Sequence, residues 1–164
     1  MKKETYIKLM DYIRSRKMLQ GIIEVLYTAL PLVVAIMYPV IVFLNGKRGF
    51  DHKFILSIVV PAVTLVGVYI MRKLINRQRP YEKFGTDSLI AKDKKGQSFP
   101  SNHSACGFVI AMTGFTLSPL LGFLLLGIAF IIALTRIFAG VHFISDVLAG
   151  MITGTLAGCV FLFI

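Results

Sequence analysis

An uncharged run of 32 residues, from Ser104 to Thr135, occupies much of the C-terminal half of the chain. A helix needs about 20 mainly apolar residues to cross the hydrocarbon core of a bilayer, which is about 30 Å thick. As a single helix the run would measure about 48 Å, at about 1.5 Å per residue. Ser118-Pro119 lies near its middle, and proline is favoured in the first turn of a helix but not in its interior. The run is therefore predicted to fold as a hairpin of two short membrane-spanning helices.

The rest of the chain is also rich in apolar residues. Of its 164 residues 56% are hydrophobic, and the mean hydropathy is +0.77. No segment resembles a soluble domain, so we expect one all-α, polytopic membrane domain over 1–164. Apolar residues 6, 9, 10 and 13 recur at helical spacing, which predicts an amphipathic helix at the membrane interface. The predicted elements are this helix (1–20), about five spans (22–44, 54–72, 102–117, 120–136 and 142–164) and a polar loop (76–99).

Positive charge accumulates at the predicted membrane surfaces. The chain has 18 Lys and Arg against 8 Asp and Glu, which gives a formal net charge of +10. A basic face at a membrane attracts anionic lipid headgroups or phosphate-bearing substrates. Nucleic acid is a poor partner because no soluble module presents the charge. Cys106 and Cys159 lack the spacing of a metal site, so neither a metal nor a disulfide is predicted.

Three polar clusters interrupt the apolar runs, and the hairpin places all three on one side of the membrane. Ionisable side chains are costly within a bilayer and are therefore candidates for a functional site. Each cluster alone also has a simpler interpretation: arginines that reach the interface from a helix end, an exposed histidine, or a His/Asp pair that holds helices together. The clusters are Arg72 with Arg79; Ser101, Asn102 and His103; and Arg136, His142 and Asp146.

The residue types in these clusters suit an anion. Two guanidinium groups can bind phosphate oxygens in a forked geometry. Ser101 or Asn102 can cap the helix that follows, and the free amide N–H groups and dipole of that helix then favour negative charge. His142 and Asp146 are four residues apart, so on a helix the carboxylate can accept the imidazole N–H and leave the other ring nitrogen free to attack.

Together the clusters resemble the three-part signature of the type 2 phosphatidic acid phosphatase superfamily, membrane lipid phosphatases related to glucose-6-phosphatase and the vanadium haloperoxidases. The first family motif is Lys, six residues, Arg-Pro, and six residues lie between Arg72 and Arg79-Pro80. Arg72 rather than Lys73 is taken as the first cation, because it shares a helical face with Arg79 if the helix continues.

The other two motifs are matched with one replacement each. The second, Pro-Ser-Gly-His, corresponds to Pro100 to His103, with Asn102 in place of glycine. The third is Ser-Arg, five residues, His, three residues, Asp, and it is matched from Thr135 to Asp146, with Thr135 in place of serine. Arg72 in place of the lysine of the first motif keeps the charge, and neither this replacement nor Asn102 in place of glycine removes a catalytic group of the family.

This resemblance implies hydrolysis of a phosphate monoester or diphosphate through a phosphohistidine, without a metal or other cofactor. His142 would be the nucleophile, and Asp146 would orient it. His103 would protonate the leaving group and then activate water. The phosphoryl oxygens would be held by five residues: Arg72, Arg79, Arg136, Ser101 and Asn102.

The substrate is expected to be a lipid. The predicted hairpin arms, about 24 Å long, are shorter than the membrane core, so the site should be slightly sunken and the lipid tail should remain in the bilayer. Undecaprenyl diphosphate in a bacterial envelope is the first prediction, and phosphatidate or phosphatidylglycerol phosphate is the alternative. A protein of another class, a small transporter or a non-catalytic binder of lipid phosphates, could use the same charges.

Two arguments about membrane orientation disagree. The N-terminal segment has 6 Lys and Arg and the motif side has 9, against 3 in the turn from Lys47 to Lys53. The positive-inside rule would place the motif side in the cytoplasm, whereas the family resemblance favours an extracytoplasmic site. Because several of these cations are expected to bind phosphate rather than set topology, we expect a multi-pass protein of the cell membrane with its site on the extracytoplasmic face.

Overall fold

The computed structural model describes residues 1–92 and 94–164, and no strand occurs in these ranges. The all-α fold predicted from the sequence is confirmed. Two 3-10 turns, Gly114–Thr116 and Cys159–Leu162, extend the fifth and seventh helices. The helices are α1 (Lys3–Arg14), α2 (Lys17–Arg48), α3 (His52–Ile75), α4 (Pro80–Phe84), α5 (Asn102–Thr113), α6 (Pro119–Phe138) and α7 (Ile144–Gly158).

Four segments within the described residues are long and apolar enough to cross a membrane: Lys17–Arg48, His52–Phe84, Pro119–Phe138 and Ile144–Leu162. The remaining predicted span corresponds to α5, whose 12 residues measure only about 18 Å. The protein therefore has four long helices and one short central helix rather than five similar spans. Helix α6 has 20 residues and is about 30 Å long, so it exceeds the expected 24 Å or so.

The predicted hairpin is present between α5 and α6. Ser118 occupies the N-cap of α6, where its hydroxyl accepts a hydrogen bond from the Leu121 amide at 3.2 Å, and Pro119 follows in the first turn. The two helices pack against each other. This arrangement returns the end of α6, with Arg136, to the side on which α5 begins.

Helix α5 lies at the centre of the bundle, packed by α2, α3, α6 and α7. Three glycines on α7 allow its backbone to approach α5 closely: Gly150, Gly154 and Gly158. A Cβ on Gly150 would lie 2.5 Å from the carbonyl oxygen of Ser101. Small residues permit this kind of approach between membrane helices. The contact brings the start of α5 beside the start of α7.

Helices α2 and α3 continue through internal prolines, Pro31 and Pro39 in α2 and Pro61 in α3. Half of the residues of α2 and most of those of α3 are exposed, which suits contact with lipid. Tyr38 in α2 donates its hydroxyl to the Ser57 carbonyl in α3 at 3.1 Å. The two helices are thus joined by a polar contact as well as by apolar side chains.

Helix α1 supports the connection between α6 and α7. Its buried face includes Tyr6 and Met10, and the Tyr6 hydroxyl donates to the Gly140 carbonyl at 3.1 Å. Gly140 has a φ of 72°, and a Cβ there would lie 2.7 Å from both Tyr6 Oη and Met10 Sδ. Burial raises the pKa of Tyr6 to about 12, so its hydroxyl stays a donor near neutral pH. The amphipathic helix therefore lies on the side of the polar clusters.

Candidate active site

A cavity of about 240 Å³ lies where the three polar clusters meet. No group of three or more His, Cys, Asp or Glu side chains that could hold a metal ion occurs within 1–92 and 94–164. Five of the residues predicted from sequence line the cavity: Arg72, Arg79, Asn102, His103 and His142. The other lining residues are Tyr27, Tyr69, Lys92, Lys94 and Gln97.

Arg72 is the cation of the first motif that reaches the cavity. It is buried near the end of α3, and its Nη1 donates to the Pro100 carbonyl at 2.7 Å. Lys73 is exposed, with its ammonium 4.8 Å from the centroid of the Tyr69 ring. Arg72 therefore lies on the face of the helix that lines the cavity, and Lys73 lies on a different face.

Arg79 reaches the same cavity by a different route from the one expected. Helix α3 ends at Ile75, and Asn76 turns the chain with a left-handed φ of 41°. Arg72 and Arg79 therefore do not share one helical face. Arg79 precedes α4, is buried, and donates from Nε to the Gly96 carbonyl at 3.2 Å.

The polar loop after α4 is folded onto the site. The Glu82 carboxylate accepts a hydrogen bond from the Gly96 amide at 2.8 Å, and Arg79 Nη1 donates to the Val141 carbonyl at 3.4 Å. These contacts hold the loop beside the α6–α7 connection. As a result Lys92 and Lys94 add two exposed ammonium groups to the cavity.

The start of α5 brings two predicted residues to the cavity and leaves a third outside its lining. Asn102 and His103 form the first turn, whose amides have no partner within the helix. Ser101 is buried at the N-cap, its amide donates to the Asp146 carbonyl at 2.8 Å, and its hydroxyl accepts from Ser104 at 2.9 Å. The Ser101 amide is therefore engaged within the protein, while the Ser101 hydroxyl acts there as an acceptor.

His142 and Asp146 lie side by side, but they do not form the direct hydrogen bond that their spacing predicts. The distance from Nδ1 to Oδ2 is 3.7 Å, and side-chain groups separated by about 3.6 Å or more do not form a hydrogen bond. Ser98 lies between them, with its Oγ 2.5 Å from Asp146 Oδ2 and 3.4 Å from His142 Nδ1. The helix starts only at Ile144, so His142 lies in the preceding turn rather than on the same helix as Asp146.

The environment of His142 favours a neutral ring. Its side chain is buried in the turn before α7. Burial holds the pKa of His142 below its ordinary value, the nearby Arg79 and Arg72 act in the same direction, and Asp146 opposes them. A neutral imidazole has a nitrogen lone pair, which a nucleophile needs.

Arg77 is a site residue that the sequence reasoning missed. Its Nη1 lies 2.6 Å from Asp146 Oδ1 and 2.8 Å from Ser145 Oγ, and its guanidinium lies 4.5 Å from the centroid of the Phe143 ring. The only sequence signal was a further arginine between the two motif arginines. The fold turns that residue toward the carboxylate after α3 ends.

Arg136 does not line the cavity directly. It is buried, donates from Nη2 to the Tyr27 carbonyl at 2.7 Å, and lies 3.7 Å from the centroid of the Tyr27 ring. Its buried Nε has no hydrogen-bond partner among the described residues. Tyr27 itself lines the cavity, although its place in an apolar run gave no sign of this. Lys92 lies 5.6 Å from the same ring.

An apolar cavity of about 260 Å³ adjoins the polar one, and both are lined by Asn102 and His103. It lies between α2, α5 and α6. A polar and an apolar cavity thus meet at His103. The other lining residues are Pro31, Val34, Ala35, Cys106, Gly107, Ile110 and Ile132.

Two curated relatives match parts of this chain. The protein named bacitracin transport permease protein BcrC, from Bacillus licheniformis, is 32% identical over 88 residues, which are 54% of this chain and 43% of that protein. YbjG of Escherichia coli strain K12, whose name assigns it provisionally to the undecaprenyl-diphosphatases, is 30% identical over 136 residues, which are 82% of this chain and 65% of that protein. The matches thus span less than two thirds of these relatives' own length.

Solved structures share the fold. LpxE of Aquifex aeolicus superposes with a TM-score of 0.73 at 25% identity, covering 98% of this chain and 94% of that one. A PAP2 type phosphatidylglycerolphosphate phosphatase from Bacillus subtilis has a TM-score of 0.56 at 19% identity over 96% and 90%, and this likeness concerns the fold alone. The sequence model of the PAP2 superfamily matches residues 52–164, which include all three polar clusters. The chain belongs to the PAP2 superfamily.

Proposed function

We propose that the protein is an integral membrane phosphatase that removes a phosphate group from a lipid phosphate or diphosphate through a phosphohistidine intermediate. The observation that carries this proposal is the meeting of the two cavities at His103. One cavity is lined by arginines and histidines, and the other by apolar side chains. A phosphate headgroup suits the first, and the beginning of a lipid tail suits the second.

The chemistry is assigned to two histidines. His142 attacks phosphorus, so that an N–P bond forms while the bond to the leaving oxygen breaks. His103 protonates that oxygen and then takes a proton from the water that hydrolyses the phosphohistidine. Asp146 fixes the orientation of His142 from its buried position.

The phosphoryl oxygens are assigned to cations and amides around the cavity. Buried Arg72 and Arg79 stabilise the negative charge that shifts in the transition state. Asn102 contributes its backbone amide, which lies at the N-terminus of α5 and favours a negatively charged phosphoryl oxygen. Arg136 acts from behind Tyr27 through its long-range charge. Ser101 is assigned to the phosphoryl oxygens through its hydroxyl proton, and its amide anchors the α5 N-terminus to the Asp146 carbonyl.

Undecaprenyl diphosphate is the proposed substrate. Lys92 and Lys94 supply positive charge beyond the two arginines, which suits a headgroup with two phosphates. The similarity to YbjG supports the same assignment. Phosphatidate or phosphatidylglycerol phosphate is the second candidate, because Arg72 and Arg79 can bind the phosphate of any of these headgroups. The active site is proposed to face the extracytoplasmic side of the cell membrane.

Phosphate release from purified protein in detergent tests this function. The panel contains undecaprenyl diphosphate, phosphatidate and phosphatidylglycerol phosphate, each with and without EDTA. We expect EDTA-insensitive release, fastest from undecaprenyl diphosphate. A transporter or a non-catalytic binder would release no phosphate from any of them.

The variant His142→Ala tests the nucleophile in the same assay. We expect release to fall by more than about a thousand-fold, because the attacking nitrogen is lost. The matched control is His52→Ala, since His52 is exposed at the start of α3 and lies outside the cavity lining. Substantial turnover by a folded His142→Ala protein would refute the assignment.

A further inference from the structure

Ser98 occupies a position that the three motifs do not assign. It is completely buried, and its hydroxyl lies 2.5 Å from Asp146 Oδ2 and 3.4 Å from His142 Nδ1. The direct distance between the imidazole and the carboxylate is 3.7 Å. Hydrogen bonds of catalytic groups are often long before substrate binds. Each of the two contacts of the Ser98 hydroxyl is therefore shorter than the direct contact between the carboxylate and the ring.

The donors around Asp146 determine how the Ser98 hydroxyl is oriented. An ionised carboxylate only accepts hydrogen bonds. Oδ1 accepts from Arg77 at 2.6 Å, and Oδ2 accepts from the Phe143 amide at 3.0 Å and from Ser98. The single hydroxyl proton of Ser98 is therefore donated to Asp146. Only the lone pairs of Ser98 Oγ remain for the imidazole.

This orientation fixes the tautomer of His142. Because Ser98 Oγ can only accept from the ring, Nδ1 must carry a proton. Nε2 is then unprotonated in the neutral ring. The nitrogen that faces away from Ser98 thus has the lone pair required for attack on phosphorus.

We propose that Ser98 is a positioning residue that links Asp146 to His142 and holds the nucleophile in its Nδ1-protonated form. The inference rests on the proposed function of His142. During attack, Nε2 forms the bond to phosphorus, and the electron pair of the broken P–O bond leaves with the oxygen, which His103 protonates. The Nδ1 proton stays on the ring, and its positive charge is stabilised through Ser98 by the Asp146 carboxylate.

The backbone of Ser98 has a separate structural task. Its amide donates to the Arg77 carbonyl at 2.8 Å, and Ser98→Ala leaves this bond in place. The matched control is Ser88→Ala, since Ser88 is also buried in the same loop but its hydroxyl donates to the Ile90 carbonyl at 2.6 Å. The two variants therefore remove the same group, and only one of them touches the His/Asp pair.

Steady-state kinetics in detergent give the first test, with farnesyl diphosphate as a short-chain polyprenyl diphosphate in place of undecaprenyl diphosphate. We expect Ser98→Ala to lower kcat by about 10- to 100-fold with KM changed less than twofold, as for other lost orienting partners. Ser88→Ala should retain wild-type values. A kcat of Ser98→Ala within twofold of wild type would overturn the proposal.

A double-mutant cycle separates this role from a packing defect. If Ser98 acts through Asp146, adding Ser98→Ala to Asp146→Ala lowers kcat no further. If the serine acts independently, the two losses multiply, and the proposal fails.

The tautomer is measured without substrate, which keeps the inference distinct from the proposed function. The ¹⁵N spectrum of histidine-labelled protein near pH 8 is assigned with His52→Ala and His103→Ala variants. We expect a protonated Nδ1 on His142, with mixed tautomers in Ser98→Ala. A protonated Nε2 in the wild type would overturn the inference even if the enzyme were active.

Discussion

His142 combines deep burial with two flanking arginines, and this has a consequence for pH dependence. Its pKa is lowered by burial first and by Arg79 and Arg72 next, so the ring stays neutral at and above its ordinary value of about 6.5. We expect the rate of phosphoenzyme formation not to change with His142 protonation between about pH 6.5 and 8. At lower pH we expect the rate to fall as His142 becomes protonated. Rapid-quench single-turnover measurements with farnesyl diphosphate would show this. An acid limb centred above pH 7 would contradict it.

The same shift affects stability with a definite sign. Below about pH 6.5 the unfolded chain takes up a proton at His142 that the folded protein does not. The contribution of this group to the free energy of unfolding is therefore fully present above that pH and decreases as the pH falls toward the lowered value. His142→Gln should remove this part of the pH dependence in detergent unfolding measurements.

The motif residues were predictable from spacing, whereas their partners were not. Arg72, His103 and His142 stand at positions that a linear pattern can identify, and all three line the cavity. Ser98 and Arg77 act on Asp146 only because the chain turns after Ile75 and the loop folds back. The spacing of residues along the sequence does not show which distant segments fold back into contact.

At the scale of helices, the packing of α7 on α5 sets the distance between the starts of these two helices, which carry residues of the second and third motifs. A Cβ on Gly154 would clash with the Ala105 carbonyl and would lie 2.9 Å from Phe108 Cβ. We expect Gly154→Val to lower the free energy of unfolding by about 1–3 kcal/mol, as other overpacking substitutions do. Thermal unfolding in detergent measures the change.

The control for this prediction is Gly127→Val in α6. It introduces the same side chain into a helix, but nothing lies within 4 Å of the added Cβ. The difference between the variants therefore isolates the interhelical clash from helix propensity. Equal losses of stability in the two variants would contradict the proposed packing effect.

The order of helices followed from hydropathy, but their exact ends did not. Ser118-Pro119 correctly indicated the hairpin, because an N-cap serine and a first-turn proline are local signals. The early end of α3 at Ile75 and the shortness of α5 depend on tertiary contacts that override local pattern. The sequence therefore predicted which segments are helical better than where each helix stops.

For the whole molecule, the orientation in the membrane has a direct test. Asp87 is exposed on the motif side, where its carbonyl accepts from Arg14 at 2.9 Å, and Phe50 is exposed in the turn between α2 and α3. In a background with Cys106→Ser and Cys159→Ser, we expect an impermeant thiol reagent to label Asp87→Cys in intact cells but not Phe50→Cys. The opposite labelling pattern would place the site in the cytoplasm, as the charge count favours.

Prolines within the long helices also determine how the bundle is joined. A proline has no N–H, so the carbonyl four residues earlier lacks its helical donor. For Pro31 that carbonyl belongs to Tyr27, which accepts from Arg136; for Pro61 it belongs to Ser57, which accepts from Tyr38. The bilayer core contains no water that could donate a hydrogen bond to this carbonyl in place of the missing N–H. Pro31 and Pro61 thus turn a helix defect into an attachment point for a side chain of another helix, and the defect in α2 holds Arg136 against Tyr27.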